Sequence, residues 1–350
     1  MFNHKHYVPI LKSKRGELWA LQRISPSSRR LVTPLIEILL TPTQLKTPKE
    51  ALKNICESVR KAWGTSDRLF IDTRYLGVQS AKDAAKCRRW IQGMRDLHIL
   101  AVPVTSLTRS EAFQTAIRES VKIDKRGVMM RLGIADFTNS EILIRALDRL
   151  LSFLEISRND VDLLLDYEAQ DDDATIVQLL RFHLDQLPAI NQWRTVTMAA
   201  ASSPVSLVGL SKHDWHKAPR REWSAWLLAN TASPHLKRKP AFGDYLIRDP
   251  GIPPTFGTPF VNIRYTANGH WIIRRGDRVK EGGAKQIFGI CASLVQRPEF
   301  RGGSFSAGDS EMAARAANQG SSGGAQQWVQ WAHSHHIEFV VDQIANGSGV

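Results

Sequence analysis

The chain has 350 residues, 43% hydrophobic and 23% charged, the balance of an ordinary soluble globular protein with one large domain or two smaller ones. Its formal net charge of +13 favours an anionic partner: nucleic acid, nucleotide or phosphate ester. No apolar run approaches the roughly 18 residues that span a bilayer, and the N-terminus lacks the basic-then-apolar order of a signal peptide, so a cytoplasmic protein without a membrane partner is expected.

Short apolar runs recur along the chain and suit strands buried on both faces. They are residues 7–11 (YVPIL), 32–38 (VTPLIEI), 69–72 (LFID), 99–104 (ILAVPV), 128–134 (VMMRLGI), 161–166 (VDLLLD), 195–201 (TVTMAAA) and 241–247 (AFGDYLI). Helical patterns fill the gaps. The first is 16–24. Thr47 is the expected N-cap of a helix with Pro48 at its first position. Ser80 is the expected cap of 81–96, where Ala84, Cys87, Trp90, Ile91 and Met94 share a face. Further helices are expected at 109–121, 141–156 (opened by Asn139 and Ser140), 171–186 and 212–229. Cys56, Cys87 and Cys291 lie far apart without CxxC spacing, which argues against a disulfide framework or structural zinc site and favours buried reduced thiols.

Eight strand–helix units within 1–258 suit a closed (β/α)8 barrel of the TIM type, whose usual size is about 250 residues. An open doubly wound α/β sheet is the alternative, but no GxGxxG follows the first strand. Residues 259–350 read as a C-terminal extension packed on the barrel. It has a hairpin with arms 261–266 and 270–275 around Asn268-Gly269, a helix at 284–297, and a Gly/Ser-rich stretch with a short helix at 310–317. The last segment, "IEFVVDQI", suits either strand or helix.

In a parallel barrel the strand C-termini converge on one face, where sites are built. The expected strand ends there are polar. Lys12 and Lys14 follow the first strand, Glu37 ends the second, Asp72 the third and Asp166 the sixth. Arg131 lies in the fifth, and Asp244 and Tyr245 in the eighth. A carboxylate inside an apolar run costs several kcal/mol unless it is paired or holds a metal. Glu37, Asp72 and Asp166 therefore suit a structural network with Lys12 and Arg131, or a hard divalent cation such as magnesium or manganese, or acid–base work. Lys12, Lys14 and Arg131 suit a phosphate or carboxylate group, and Glu17 pairs with these cations or caps the helix that follows.

His333, His335 and His336 are the one dense histidine group; their spacing is not HExxH. They suit a hydrogen-bonded cluster, or a tail folded over the barrel mouth that adds an acid or base. "FSAGDSE" (305–311) reads as a helix cap at Asp309 or Ser310, or as backbone N–H groups for an anion. Basic residues cluster at 212–221, 237–239 and 274–280, near Trp215, Trp223, Trp226 and Trp271, a mixture that suits single-stranded nucleic acid.

The stretches "HYVPILKSKRGELWAL", "TPLIEI", "FIDTRYL", "LLLDYE", "FGDYLI", "IRYTANGHWIIRRG", "FSAGDSE" and "HSHHIEFV", in that order, resemble the phage beta protein-like family, whose members occur in phages and bacteria. The resemblance spans nearly the whole chain. It implies one continuous unit and points to Lys12, Glu17, Glu37, Asp72, Arg131, Asp166, Asp244, Tyr245 and the terminal histidines. It also implies a place in phage–host conflict, with a protein partner in a defence complex.

The expectation taken forward is a protein that acts on or binds a phosphate-bearing ligand. As an enzyme it would be a metal-dependent phosphodiesterase or nuclease. Lys12, Glu37, Asp72, Arg131, Asp166 and His336 would be catalytic, with Glu37, Asp72 and Asp166 holding the metal. Lys14, Glu17, Asp244, Tyr245 and His335 would bind ligand. The alternative is a non-catalytic module that binds nucleic acid or protein.

Overall fold

The structure is a computed structural model, and it describes residues 2–77, 81–231, 236–251 and 259–347. Eight parallel strands close a barrel: β1 (Tyr7–Lys12), β2 (Leu35–Glu37), β3 (Leu69–Asp72), β4 (Ala101–Thr105), β5 (Val128–Gly133), β6 (Val161–Ala169), β7 (Thr195–Ala201) and, last in the ring, β9 (Ala241–Asp244). Strand β9 pairs with both β7 and β1, which closes the sheet and rules out the open doubly wound alternative.

Successive residues of a strand point to opposite faces, and the barrel sorts its sequence by that rule. Val8, Ile10, Leu35, Phe70, Val102, Met129 and Leu164 fill the interior as one cluster. Tyr7, Leu11, Ile36, Ile71, Met130, Leu163, Leu165 and Phe242 face outward and meet the helical layer. Each buried Leu, Ile or Phe contributes about 1.5–3 kcal/mol, so this double-faced burial is what selects uninterrupted apolar strands.

The helices start at side-chain caps. Ser110, Asn139 and Asp172 accept from the backbone N–H groups of Phe113, Ile142 and Thr175, opening Glu111–Asp124, Ser140–Leu154 and Asp173–Gln186. Thr47 does precede the helix Pro48–Trp63, but its side chain makes no cap bond. Ser80 lies outside the described residues; its helix spans Ala81–Asp96. All three cysteines are buried free thiols.

Residues 212–229, expected to be a single helix, divide into strand β8 (Trp215–Pro219) and a helix, Arg221–Thr231. The strand forms because it pairs antiparallel with the hairpin of the extension, β10 (Phe260–Ala267) and β11 (His270–Arg278), in the order β10-β11-β8. The extension's sheet thus draws one strand from within residues 1–258.

The terminal segment is helical, Ala325–Ala345. Its first half buries Trp328 and Trp331 against the hairpin sheet, and its second half buries Ile337, Val340, Val341 and Ile344 in the barrel's outer core. This apolarity on successive faces explains why "IEFVVDQI" is ambiguous as sequence. The short helix ahead of it runs Ala307–Ala316 and is capped by Ser306, which accepts from Asp309 N–H, in place of the expected Asp309 or Ser310.

Candidate functional site

The interior parity that places Ile10, Leu35, Phe70, Met129 and Leu164 inside the barrel also places Lys12, Glu37, Asp72, Arg131 and Asp166 inside, one layer higher, at the strands' C-terminal ends. They meet around one guanidinium. Arg131 Nη1 donates to Glu37 Oε1 and to Asp72 Oδ2, both at 2.8 Å. Its Nε donates to Asp166 Oδ2 at 2.7 Å, and its Nη2 to the Tyr245 hydroxyl at 2.6 Å. Tyr245 donates in turn to Asp166 Oδ2 at 2.7 Å. All of these side chains are buried.

The electrostatics follow from that burial. Desolvation opposes the charge of Arg131, but Tyr245, Asp166, Glu37 and Asp72 outweigh it and hold its pKa well above the ordinary value. Burial, reinforced by Asp72, raises the pKa of Glu37 against the pull of Arg131. Burial is also the main reason the Tyr245 hydroxyl holds its proton far above its usual range.

Five of the six oxygens on Glu37, Asp72 and Asp166 are engaged. Asp72 Oδ1 accepts from Arg74 N–H at 2.9 Å and Arg109 Nη2 at 3.2 Å, and Asp166 Oδ1 accepts from Glu168 N–H at 3.0 Å. Glu37 Oε2 alone lacks a hydrogen bond, with Lys12 Nζ 3.9 Å away. The centre that a divalent cation would occupy is filled by Arg131, and no group of three or more His, Cys, Asp or Glu among the described residues is arranged to hold a metal ion. The metal set expected from Glu37, Asp72 and Asp166 does not fit this geometry, because a guanidinium fork satisfies three carboxylates that a cation would need free.

Lys12 is buried and donates to the Pro250 carbonyl at 3.0 Å, as does the Tyr75 hydroxyl at the same distance. The loop after β9 is thereby tied across one side of the mouth. The other side is open. A cavity of about 680 Å³ lies over Arg131 and Asp166, with Arg74, Arg109, Ser106 and Thr108 on its wall. Arg74 and Arg109 line this wall and are not among the residues expected from the sequence. Both sit just past a strand end, Arg74 at the start of a short 3-10 helix inside the quoted "FIDTRYL", where position alone marks a rim residue of a parallel barrel. Glu168, paired with Arg74 at 3.1 Å, has a left-handed backbone at φ +53°, uncommon for a residue with a side chain, at the register shift between Asp166 and Ala169 near the end of β6.

The remaining expected residues lie elsewhere. Asp244 neighbours Tyr245 in the chain, so the two cannot face the same way; Asp244 points out of the barrel. There it accepts from Tyr7 OH at 2.5 Å and meets His336 Nε2 at 2.8 Å, beneath the C-terminal helix. Burial lowers the pKa of His336, and Asp244, although buried, is held below its usual range by His336 and Tyr7. His335 stacks on Tyr265, its Nδ1 2.9 Å from Asp309 Oδ2 and its Nε2 2.9 Å from the Thr266 carbonyl. Both terminal histidines and Asp244 thus lock the helix to the barrel and sheet, and none reaches the mouth. Glu17 is buried, accepts from Lys12 N–H and lies beside half-buried Lys14, outside the ring around Arg131.

A family model described as "Beta protein" matches residues 7–342. The chain belongs to the Beta protein family. That agrees with the resemblance carried by the ordered motifs, and the match runs through both the barrel and its extension. No curated protein matches this family member. A solved structure titled "Crystal Structure of SacUVDE" matches at 9% identity and a TM-score of 0.29, over 70% of this chain and 94% of that one.

Proposed function

We propose that the barrel mouth binds a phosphate-bearing ligand, a nucleotide or a nucleic-acid end, through Arg74 and Arg109. The observation that carries this reading is a pair of partly open guanidiniums on the wall of the 680 Å³ cavity, backed by the buried Arg131. Arg74 rests on Glu168, whose side chain is 58% exposed. Such a pair is worth about 0–1 kcal/mol, so a phosphate can displace the carboxylate at little cost. Arg109, its pKa lowered mainly by burial, gains from an added anion. Ser106 and Thr108 supply hydroxyl donors on the same wall.

The ring beneath acts as a rigid floor. It fixes charge in a buried site and needs no reorganisation when a ligand arrives. Glu37, with one free oxygen and a raised pKa, is the carboxyl group suited to proton transfer should the ligand be turned over. Metal-assisted hydrolysis is not part of this reading.

The test is calorimetric titration of the full chain with nucleoside mono-, di- and triphosphates and short oligonucleotides. Arg74→Ala and Arg109→Ala should each weaken binding about tenfold or more, since a charged hydrogen bond contributes about 1.5–3 kcal/mol. Unchanged affinity in both variants would remove the reading.

A second reading rests on the hairpin sheet, where pairing of β8 with β11 brings two of the basic clusters together. Trp215 lies under the guanidiniums of Arg274 and Arg297 at 5.8 and 5.1 Å, and Phe260 under those of Arg275 and Arg278, both at 4.5 Å. Aromatic faces among cations suit single-stranded nucleic acid. Affinity that falls steeply with salt and survives Arg74→Ala would favour this face.

A further inference from the structure

We propose that the chain has a second anion site, separate from the barrel mouth, in which Arg248 and Arg264 grip a phosphoryl group against the start of the C-terminal helix. The two arginines come from remote parts of the chain. Arg248 lies in the loop after β9, and Arg264 in β10 of the extension. They line one cavity of about 120 Å³ together with Asn262, Ala325 and Trp328. A space of that size suits a phosphoryl group and not a whole nucleotide.

The charges around this cavity do not balance. Arg264 is mostly buried and donates only to neutral oxygens, Ser203 Oγ at 2.9 Å and the Ile247 carbonyl at 3.2 Å. The Arg248 guanidinium makes no hydrogen bond to the described residues, and neither arginine has a carboxylate within ion-pair distance among them. Burial, and after it the neighbouring Arg248, bring the Arg264 pKa down to about 10. Lys14 adds positive charge nearby, and Glu17 is the carboxylate that offsets Arg248 at longer range. A buried cation without a partner is costly, and two side by side more so. The mouth differs in this respect, because every arginine there rests on a carboxylate.

Further observations point to an anion. The 21-residue C-terminal helix begins at Ala325, on the cavity wall, and its N-cap is Gly324, which has no side chain to cap the first free amides. Free N–H groups at a helix start, with the positive end of the helix dipole, attract phosphate. Two turns on, His333 is fully buried with neither ring nitrogen paired. Burial and the nearby Arg248 hold it neutral, so it adds no charge of its own.

The experiment is titration of the full chain with inorganic phosphate at constant ionic strength, by calorimetry and thermal unfolding, in wild type and in Arg248→Ala, Arg264→Gln and Arg74→Ala. Saturable binding is expected in wild type, with a component weakened at least tenfold in the first two variants that persists in Arg74→Ala. Arg248→Ala is the milder of the two tests. In phosphate-free buffer its midpoint should stay close to that of wild type, because the like charge lost beside Arg264 offsets the longer-range attraction lost at Glu17. Adenosine monophosphate titrated into Arg74→Ala, which removes the contribution of the mouth, with adenosine as control, distinguishes sources. Tighter binding than phosphate indicates an ester, and equal or weaker binding indicates free phosphate. Absence of saturable phosphate binding, or binding that Arg248→Ala leaves unchanged, overturns the proposal. Binding lost in Arg74→Ala and kept in Arg248→Ala also overturns it and places the phosphate at the mouth.

Discussion

Replacing Arg131 with Met should destabilise the fold at neutral pH more than at acid pH. The substitution keeps the volume of the apolar stem but removes the cation that Glu37, Asp72 and Asp166 share, all at most 4% exposed. Asp72 keeps Arg109, and Glu37 keeps Arg74 at 3.6 Å and Lys12 at 3.9 Å, whereas Asp166 loses its cation altogether. Removing one partner of a buried pair costs about 3–5 kcal/mol, and the retained cations hold the total within that range. For a chain this long, the usual unfolding entropy per residue converts 3–5 kcal/mol into a drop of about 4–7 °C in Tm. The orphaned carboxylates escape the penalty by taking up protons, so the deficit should shrink as pH falls from 7 to 5. Arg131→Lys should recover part of the loss, because a single ammonium cannot reach all three carboxylates and Tyr245 as the fork does. Denaturant and thermal unfolding at the two pH values measure this. A loss below about 1 kcal/mol at pH 7, or a deficit independent of pH, would refute the view that Arg131 neutralises the ring.

Glu222 supplies a pH signature of its own: fully buried and hydrogen-bonded by Ser202, it has its pKa pushed by burial from 4.5 to about 7. Between those values the native state holds a proton that the unfolded state has released, so stability should fall as pH rises through that window, by on the order of 3 kcal/mol in all. Glu222→Gln should flatten the profile there, and an unchanged slope would assign it to other groups. Gly308→Ala should cost at least about 1–3 kcal/mol by overpacking, because the added Cβ would sit 2.0 Å from the Trp331 carbonyl oxygen of the C-terminal helix. Gly289→Ala, in the helix Gln286–Val295 with open space at its Cβ, should be neutral or stabilising by about 0.5–1 kcal/mol; equal unfolding midpoints for both variants would contradict the close approach at Gly308.

The barrel was legible because its strands are buried on both faces, and that burial forces the short apolar runs that recur along the chain. The mouth was half legible. Glu37, Asp72 and Asp166 stand out as charges inside such runs, but whether they surround a metal or an arginine depends on where Arg131 reaches across the barrel. Asp244 and Tyr245 stand side by side at a strand end and look alike as sequence, yet strand alternation turns Asp244 away from the mouth. Strand β8 was hidden because "WHKAP" has no apolar alternation of its own and becomes a strand only by pairing with β11.

Local sequence by itself determined the positions of the barrel strands, the helix caps at Ser110, Asn139 and Asp172, and the placing of charge at strand ends, since each depends on residues close together in the chain. Tertiary structure alone decided which charges are paired. Arg131 meets carboxylates 35 to 94 residues away, His336 meets Asp244 across 92 residues, and Arg248 and Arg264 share a cavity with no carboxylate partner among the described residues. Ion pairing is set by distances of a few ångströms between side chains, and closure of the barrel, not the order of residues, fixes those distances.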